Sequence, residues 1–278
     1  MGNHLRLFRD KIMKKYIIFV KILYNSCVCR FFFVILQQIW RNSIMSEMKD
    51  IKRASRKVFK NPFLRDISYM FHIESSPTFE SKLAELENFA KGQSFKVRQV
   101  GSDGMWAFVA SKKGLDILIT QSLLTVRVGI DEYKNYDVFK EFLIPFVSGC
   151  ANVLNVNQID DLVILKTNKF ELKRDNEVAK QLPVEQYCES LFSSSFLSAY
   201  ADKGVLRNAR GLKVSAQYTA SVSDEALKVE LLVGCLDTTA FKVAEMKEKI
   251  TNANDALFDM WSYAISKTMK DVLKKEVE

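Results

Sequence analysis

The residues after Met45 predict an α+β fold in two layers, antiparallel sheets covered by helices, with two similar halves. Apolar and polar residues alternate from Phe95 to Ile130 and again from Leu212 to Cys235, the period of strands with one wet face. Apolar residues recur at helical spacing over Phe79–Ala90, Phe139–Leu154 and Met246–Val272. Each half reads strand, helix, antiparallel strands, long helix, which suggests a duplication with halves near 61–155 and 156–278.

Asn61-Pro62 stops any preceding helix, and Ile67 to Ile73 reads as the first strand. Ser76-Pro77 is expected to open a helix, because serine accepts an orphan amide and proline suits the first helical position. Phe79, Leu83, Leu86, Phe89 and Ala90 give that helix one apolar stripe, and Gly92 ends it. Four short strands follow, near 95–100, 104–110, 115–120 and 123–130, divided by Ser102-Asp103-Gly104, Lys112-Lys113-Gly114 and Gln121-Ser122. The stripe from Phe139 to Leu154 is expected to cover the dry face of this meander, with a kink at Pro145.

In the second half a strand near Leu162–Leu172 precedes a helix opened by Pro183 and carrying Val184, Tyr187, Cys188, Leu191 and Phe192. Two long strands come next, joined by Ser223-Asp224-Glu225. A closing helix carries Met246, Ile250, Ala253, Leu257, Trp261, Ala264, Ile265, Thr268 and Val272, with a break expected at Asn252–Asn254. Trp261 and Tyr263 fit either core packing or a dimer face.

Charge separates the N-terminal stretch from the rest. Residues 1–44 hold eight bases against Asp10 alone, which is +7 of the chain's +8 and leaves +1 for the other 234 residues. So near-neutral a body gives no global electrostatic reason to bind a phosphate backbone. Tyr16 to Trp40 is apolar but is interrupted by Lys21, Asn25, Ser26, Arg30, Gln37 and Gln38. Three readings of residues 1–44 stay open: an extension upstream of a start at Met45, a membrane anchor through residues 16–40, or an interfacial basic helix. Residues 45–60 read as a basic linker, and 61–278 as the α+β domain. Lys52, Arg53, Arg56, Lys57 and Lys60, continued by Arg65, form a basic patch suited to a solvated face or to nucleic acid. A membrane partner is expected only where residues 1–44 are retained, and the domain itself is expected in the cytoplasm.

Candidate chemistry is sparse. Cys27, Cys29, Cys150, Cys188 and Cys235 are odd in number and lack a CxxC knuckle. The last three therefore read as small buried hydrophobes in a reducing compartment. His72 is the one histidine after Met45, placed on a predicted strand, and it reads as structural because no nucleophile elbow accompanies it. No glycine-rich phosphate loop is present, and no cofactor is expected. Asp237, after a strand and before the last helix, fits either a cap for that helix or a group that positions a ligand, and capping by Asp237 or by neighbouring Thr238 is the expectation.

Asp161, Glu171 and Lys173, with Asp160 and Glu141 nearby, could build a Mg²⁺-dependent nuclease in which carboxylates hold the metal and the lysine steadies developing charge. The Glu-x-Lys tripeptide, however, also occurs at Glu47, Glu80, Glu132 and Glu245, so one copy carries little information. The leading expectation is a non-enzymatic interaction or ligand-binding module whose partner is a protein or small ligand, the nuclease being the alternative.

Three strings resemble a sporadically distributed bacterial family of uncharacterised proteins. Asn61-Pro62-Phe63-Leu64 leads into the strand Asp66–Ile73. Leu162–Phe170 is similar to a central strand ending in Asn168. Leu231–Asp237 precedes a helix with Leu257-Phe258 and Ala264-Ile265-Ser266. The resemblance covers about Asn61 to Leu273, while the glycine and arginine usual around the family's central strand are missing. It implies a cytosolic bacterial domain and names no active residue.

Overall fold

The computed structural model describes residues 48–54, 64–102, 105–173, 184–200, 204–222 and 226–274. Residues 1–47 lie outside them, as do Arg56, Lys57 and Lys60 of the basic patch.

One antiparallel sheet of ten strands runs through both halves. The first half contributes β1 (Leu64–Ile73), β2 (Lys96–Ser102), β3 (Met105–Lys112), β4 (Leu115–Thr120) and β5 (Leu123–Gly129). The second contributes β6 (Gln158–Lys173), β7 (Val205–Ala209), β8 (Leu212–Val222), β9 (Ala226–Asp237) and the short β10 (Phe241–Lys242). Their order is β2-β3-β4-β5-β1-β6-β9-β8-β7, with β10 beside β6. In each half the meander turns back so that its last strand lies beside its first. The halves join where β1 meets β6, and outward from that seam β5 corresponds to β9, β4 to β8 and β3 to β7.

Helix α1 (Leu83–Gly92) starts later than Ser76-Pro77 predicts, because Ser76 is held in a turn by its amide bond to the Gln121 carbonyl. A 3-10 turn over Glu80–Lys82 intervenes. Helix α2 (Tyr136–Val153) is capped by the Asn135 side chain, which accepts from the Val138 amide at 2.9 Å, and it contains Pro145. After β6 come α3 (Val184–Ser190) and the single turn α4 (Ser194–Leu197). The closing region is α5 (Met246–Ala264) and α6 (Lys267–Lys274). Its break therefore falls at Ile265-Ser266 and not at Asn252–Asn254. Asn254 is tolerated within α5 because it is buried against a donor, accepting from the Lys166 ammonium at 2.5 Å.

Strand β7 has no forerunner in the sequence reading, because Val205–Ala209 shows no alternation. Its hairpin to β8 turns on Arg210 and Gly211, both with positive φ (54° and 79°), the conformation of a two-residue type I′ turn.

Alternate strand residues sort into two faces. Ile67, Tyr69, Phe71, Ile117, Ile119, Leu124, Val126, Ile164, Val229, Leu231 and Val233 join the helices in the main core. Over the first half that core is aromatic. Phe146 lies between Phe89 and Phe95 with ring centroids at 5.6 and 5.3 Å, and Phe139 stacks on Tyr69 at 5.8 Å. Gly149 of α2 makes this approach feasible, since a β-carbon there would stand 2.3 Å from the Phe89 ring.

Residues 48–54, expected as linker, are in part attached to the domain. Lys49 and Ile51 bracket Asn208 of β7 through Asn208 N–H to the Lys49 carbonyl (3.1 Å) and Ile51 N–H to the Asn208 carbonyl (3.0 Å). Ile51 packs against the main core.

Candidate functional site

The nuclease reading needs Asp161, Glu171 and Lys173 to converge, and the fold strings them along β6. Asp161 and Glu171 stand ten residues apart on one strand, ~33 Å at about 3.3 Å per residue. Asp161 is tied to His72, and the exposed Glu171 pairs with Lys228 across the ladder at 3.4 Å. Asp160 accepts from Gln158 at 3.3 Å, and Lys173 ends the strand. The three residues do not form one metal-holding site. Among the described residues there is no group of three or more His, Cys, Asp or Glu placed to hold an ion.

What the geometry does assemble is the sheet face opposite the described helices. Across it one row runs Val109, Leu118, Thr125, Met70, Val163, Leu236 by strand pairing, with Leu165 in the adjoining row and Leu232 in the row beyond it. Met70, Val163, Leu165, Leu232 and Leu236 are buried, at 3–9% exposure, yet fall outside the main core that contains the helices' apolar residues. Leu162–Leu165 and Leu231–Leu236 are thus near-continuous apolar runs broken only by Gly234, the pattern of strands covered on both faces.

Polar residues flank this strip and are tied to one another. The pairing of β1 with β6 centres on Tyr69 opposite Ile164. Asp66 stands three residues before Tyr69, and Asp161 three before Ile164, so the seam relates the two carboxylates by a pseudo-dyad. Each bonds to the residue facing it. Asp66 accepts from Thr167 at 3.4 Å and from Arg127 at 3.1 Å, while Asp161 meets the Nδ1 of His72. Asp66 is 6% exposed, whereas the Asp161 and His72 side chains are 32% and 19% exposed. His72, read from sequence as structural, and Asp161, read as a metal ligand, therefore belong to one pair.

Other candidates resolve into supports. Asp237 does not cap α5; it accepts from the Thr239 amide at 2.9 Å and from Lys249 at 3.3 Å, holding the exit of β9. The 3-10 turn Val243–Glu245 that leads into α5 is capped instead by Glu245, whose carboxylate accepts from the Lys242 amide at 2.9 Å. Cys150, Cys188 and Cys235 are free and buried, and burial raises each thiol's pKa, with Glu189 adding to the effect at Cys188 and Asp237 at Cys235. Trp261 and Tyr263 are half-buried and pack against the core. Lys52 and Arg53 are exposed on the attached segment.

Sequence reasoning missed the Arg210 clasp. Its guanidinium donates to Asp259 at 2.7 Å and to Asp255 at 3.0 Å, and Asp259 also accepts from the Ala54 amide at 2.7 Å. Hydrogen bonding to Asp259 raises the Arg210 pKa against the opposing effect of burial. Asp255 and Asp259, one helical turn apart beside an apolar seam, were the available signal.

No family model matches the chain, and no curated protein matches it.

Proposed function

We propose that this chain is a non-enzymatic interaction module of the cytoplasm, and that its partner surface lies on the sheet face opposite the described helices, at the half-buried end of the row formed by Val109, Leu118 and Thr125. The observation that supports the reading is a single row across this face that is buried at Met70, Val163 and Leu236 and half-buried at Val109 and Leu118. A two-layer fold needs one apolar face on its sheet, and the other stays polar when water is its neighbour. Here the second face is apolar at its centre and polar at its flanks, the anatomy of a surface that receives a further layer. The partner is an apolar or amphipathic protein segment. The ion pair of Asp66 with Arg127 and the contact of Asp161 with His72 stand beside the strip and give the face its polar borders.

A photo-crosslinking residue at the half-buried Leu118 in the full chain tests this. A discrete adduct with one partner, lost when Val109→Lys is added at unchanged melting temperature, supports the proposal. Only an intramolecular adduct, or none, overturns it.

A further inference from the structure

The two ends of the sheet are finished differently. At the first-half end, β2 covers β3 with seven antiparallel residue pairs, and its own outer side carries the exposed Lys96 and Arg98. Charges on an edge strand discourage pairing with another chain. At the second-half end, β7 is the counterpart of β3, and among the described residues no strand corresponds to β2. The place of β2 is taken by residues 48–54, through a parallel bridge between Asp50 and Asn208.

Among the described residues the attachments are few and specific. The Asn208 amide and carbonyl both point outward to this segment, and its side-chain amide donates to the Asp50 carboxylate at 2.5 Å. The far end is pinned by the Ala54 amide on Asp259, inside the Arg210 clasp. Strand β7 has little protection of its own. Its single charge, Arg207, is turned over the Tyr263 ring at 5.6 Å and donates to the Leu206 carbonyl at 2.8 Å.

We propose that residues 48–54 form a detachable strap that stands in for the missing edge strand and keeps β7 from pairing with a second copy of this chain. Clasped, the strap occupies the outward hydrogen-bonding groups of Asn208. Lifted, it leaves β7 a short edge without an outward charge, the kind that templates strand addition.

Ile51→Pro in the full chain removes the amide that reaches Asn208 and leaves the Arg210 clasp in place. Exchange of the Asn208 amide should rise about tenfold or more, with β3 amides unchanged, and sedimentation should become concentration-dependent with a dimer at its limit. Adding Asn208→Pro removes the outward backbone donor, a change that edge strands tolerate, together with the side-chain amide that meets Asp50, and should restore the monomer. Asp50→Ala, an exposed substitution that spares the core, should move exchange the same way by roughly 3- to 10-fold, and it serves if Ile51→Pro does not fold. Faster exchange at Asn208 with an unchanged monomer in both variants overturns the proposal. So does an Asn208 amide as protected in both variants as in the wild type.

Discussion

Helix α2 meets the first half of the sheet through Phe139, Leu143, Phe146, Val147 and Cys150. Helix α5, in the corresponding place, uses Ala253, Ala256, Leu257, Met260 and Ala264, with Asn254 and Asp259 buried among them. One helix is held by interlocking rings. The other buries three alanines beside Ile250, Leu257 and Met260 and is located by Lys166 on Asn254 and by Arg210 on Asp255 and Asp259. The same strand order thus admits two ways of fixing a helix on a sheet. Alanines offer little interlocking, so a polar clasp supplies the position that side-chain shape supplies elsewhere.

The largest expected effect falls on the aromatic side. Phe146→Ala should cost about 3–5 kcal/mol, since it removes a fully buried ring and leaves a cavity among rings that cannot collapse far. Urea unfolding measures it. Far-UV dichroism and the fluorescence of Trp106 or Trp261 should report coincident transitions, because a single ladder joins the halves. Separate transitions would break the comparison by making the halves independent.

On the clasp side, Asp259→Ala should cost about 2–3 kcal/mol, below the range for a fully buried pair because Arg210 is 20% exposed. Replacing Arg210, Asp255 and Asp259 together by Met, Leu and Leu should recover most of that loss in the same titration. Failure to recover would mean that the charges do more than locate the helix. Gly149→Ala sharpens the ring side, with an expected cost of about 1–3 kcal/mol from driving Phe89 off its seat.

The smallest effect is alkaline. Burial, with the nearby Tyr133 and Tyr136 adding to it, holds the Tyr69 pKa well above the ordinary value. The unfolded phenol ionises near pH 10 while the folded one stays protonated. Its contribution to stability is therefore complete below about pH 10 and is lost as pH rises further. Tyr69→Phe should flatten the decline of urea midpoint between about pH 10 and 11.

Much of the fold was legible because strands and helices announce their buried faces. The four-strand meander, β8 and β9 follow alternation that sequence displays directly. The later start of α1 was not legible, because Ser76-Pro77 offers the same cap to a turn as to a helix. Nor was β7, whose five residues carry no period. The unbroken α5 reverses the expectation at Asn252–Asn254 for a tertiary reason: Lys166 on another strand satisfies Asn254. For the site, local chemistry pointed to Asp161 and Glu171 as neighbours in sequence, whereas a strand sets them far apart. The pairing of Asp161 with His72 depends on the β1–β6 register, which no short motif records.

That register also bears on how such a chain could arise. The seam lies in mid-sheet, with seven consecutive facing pairs from Asp66–Thr167 to His72–Asp161, and not in a connecting loop. A gene ending near residue 155 would leave β1 with one bare side, already disposed about a near-twofold point at Tyr69. Two copies of that product could close on each other, and joining their genes end to end would turn a dimer contact into the covalent centre of a single sheet.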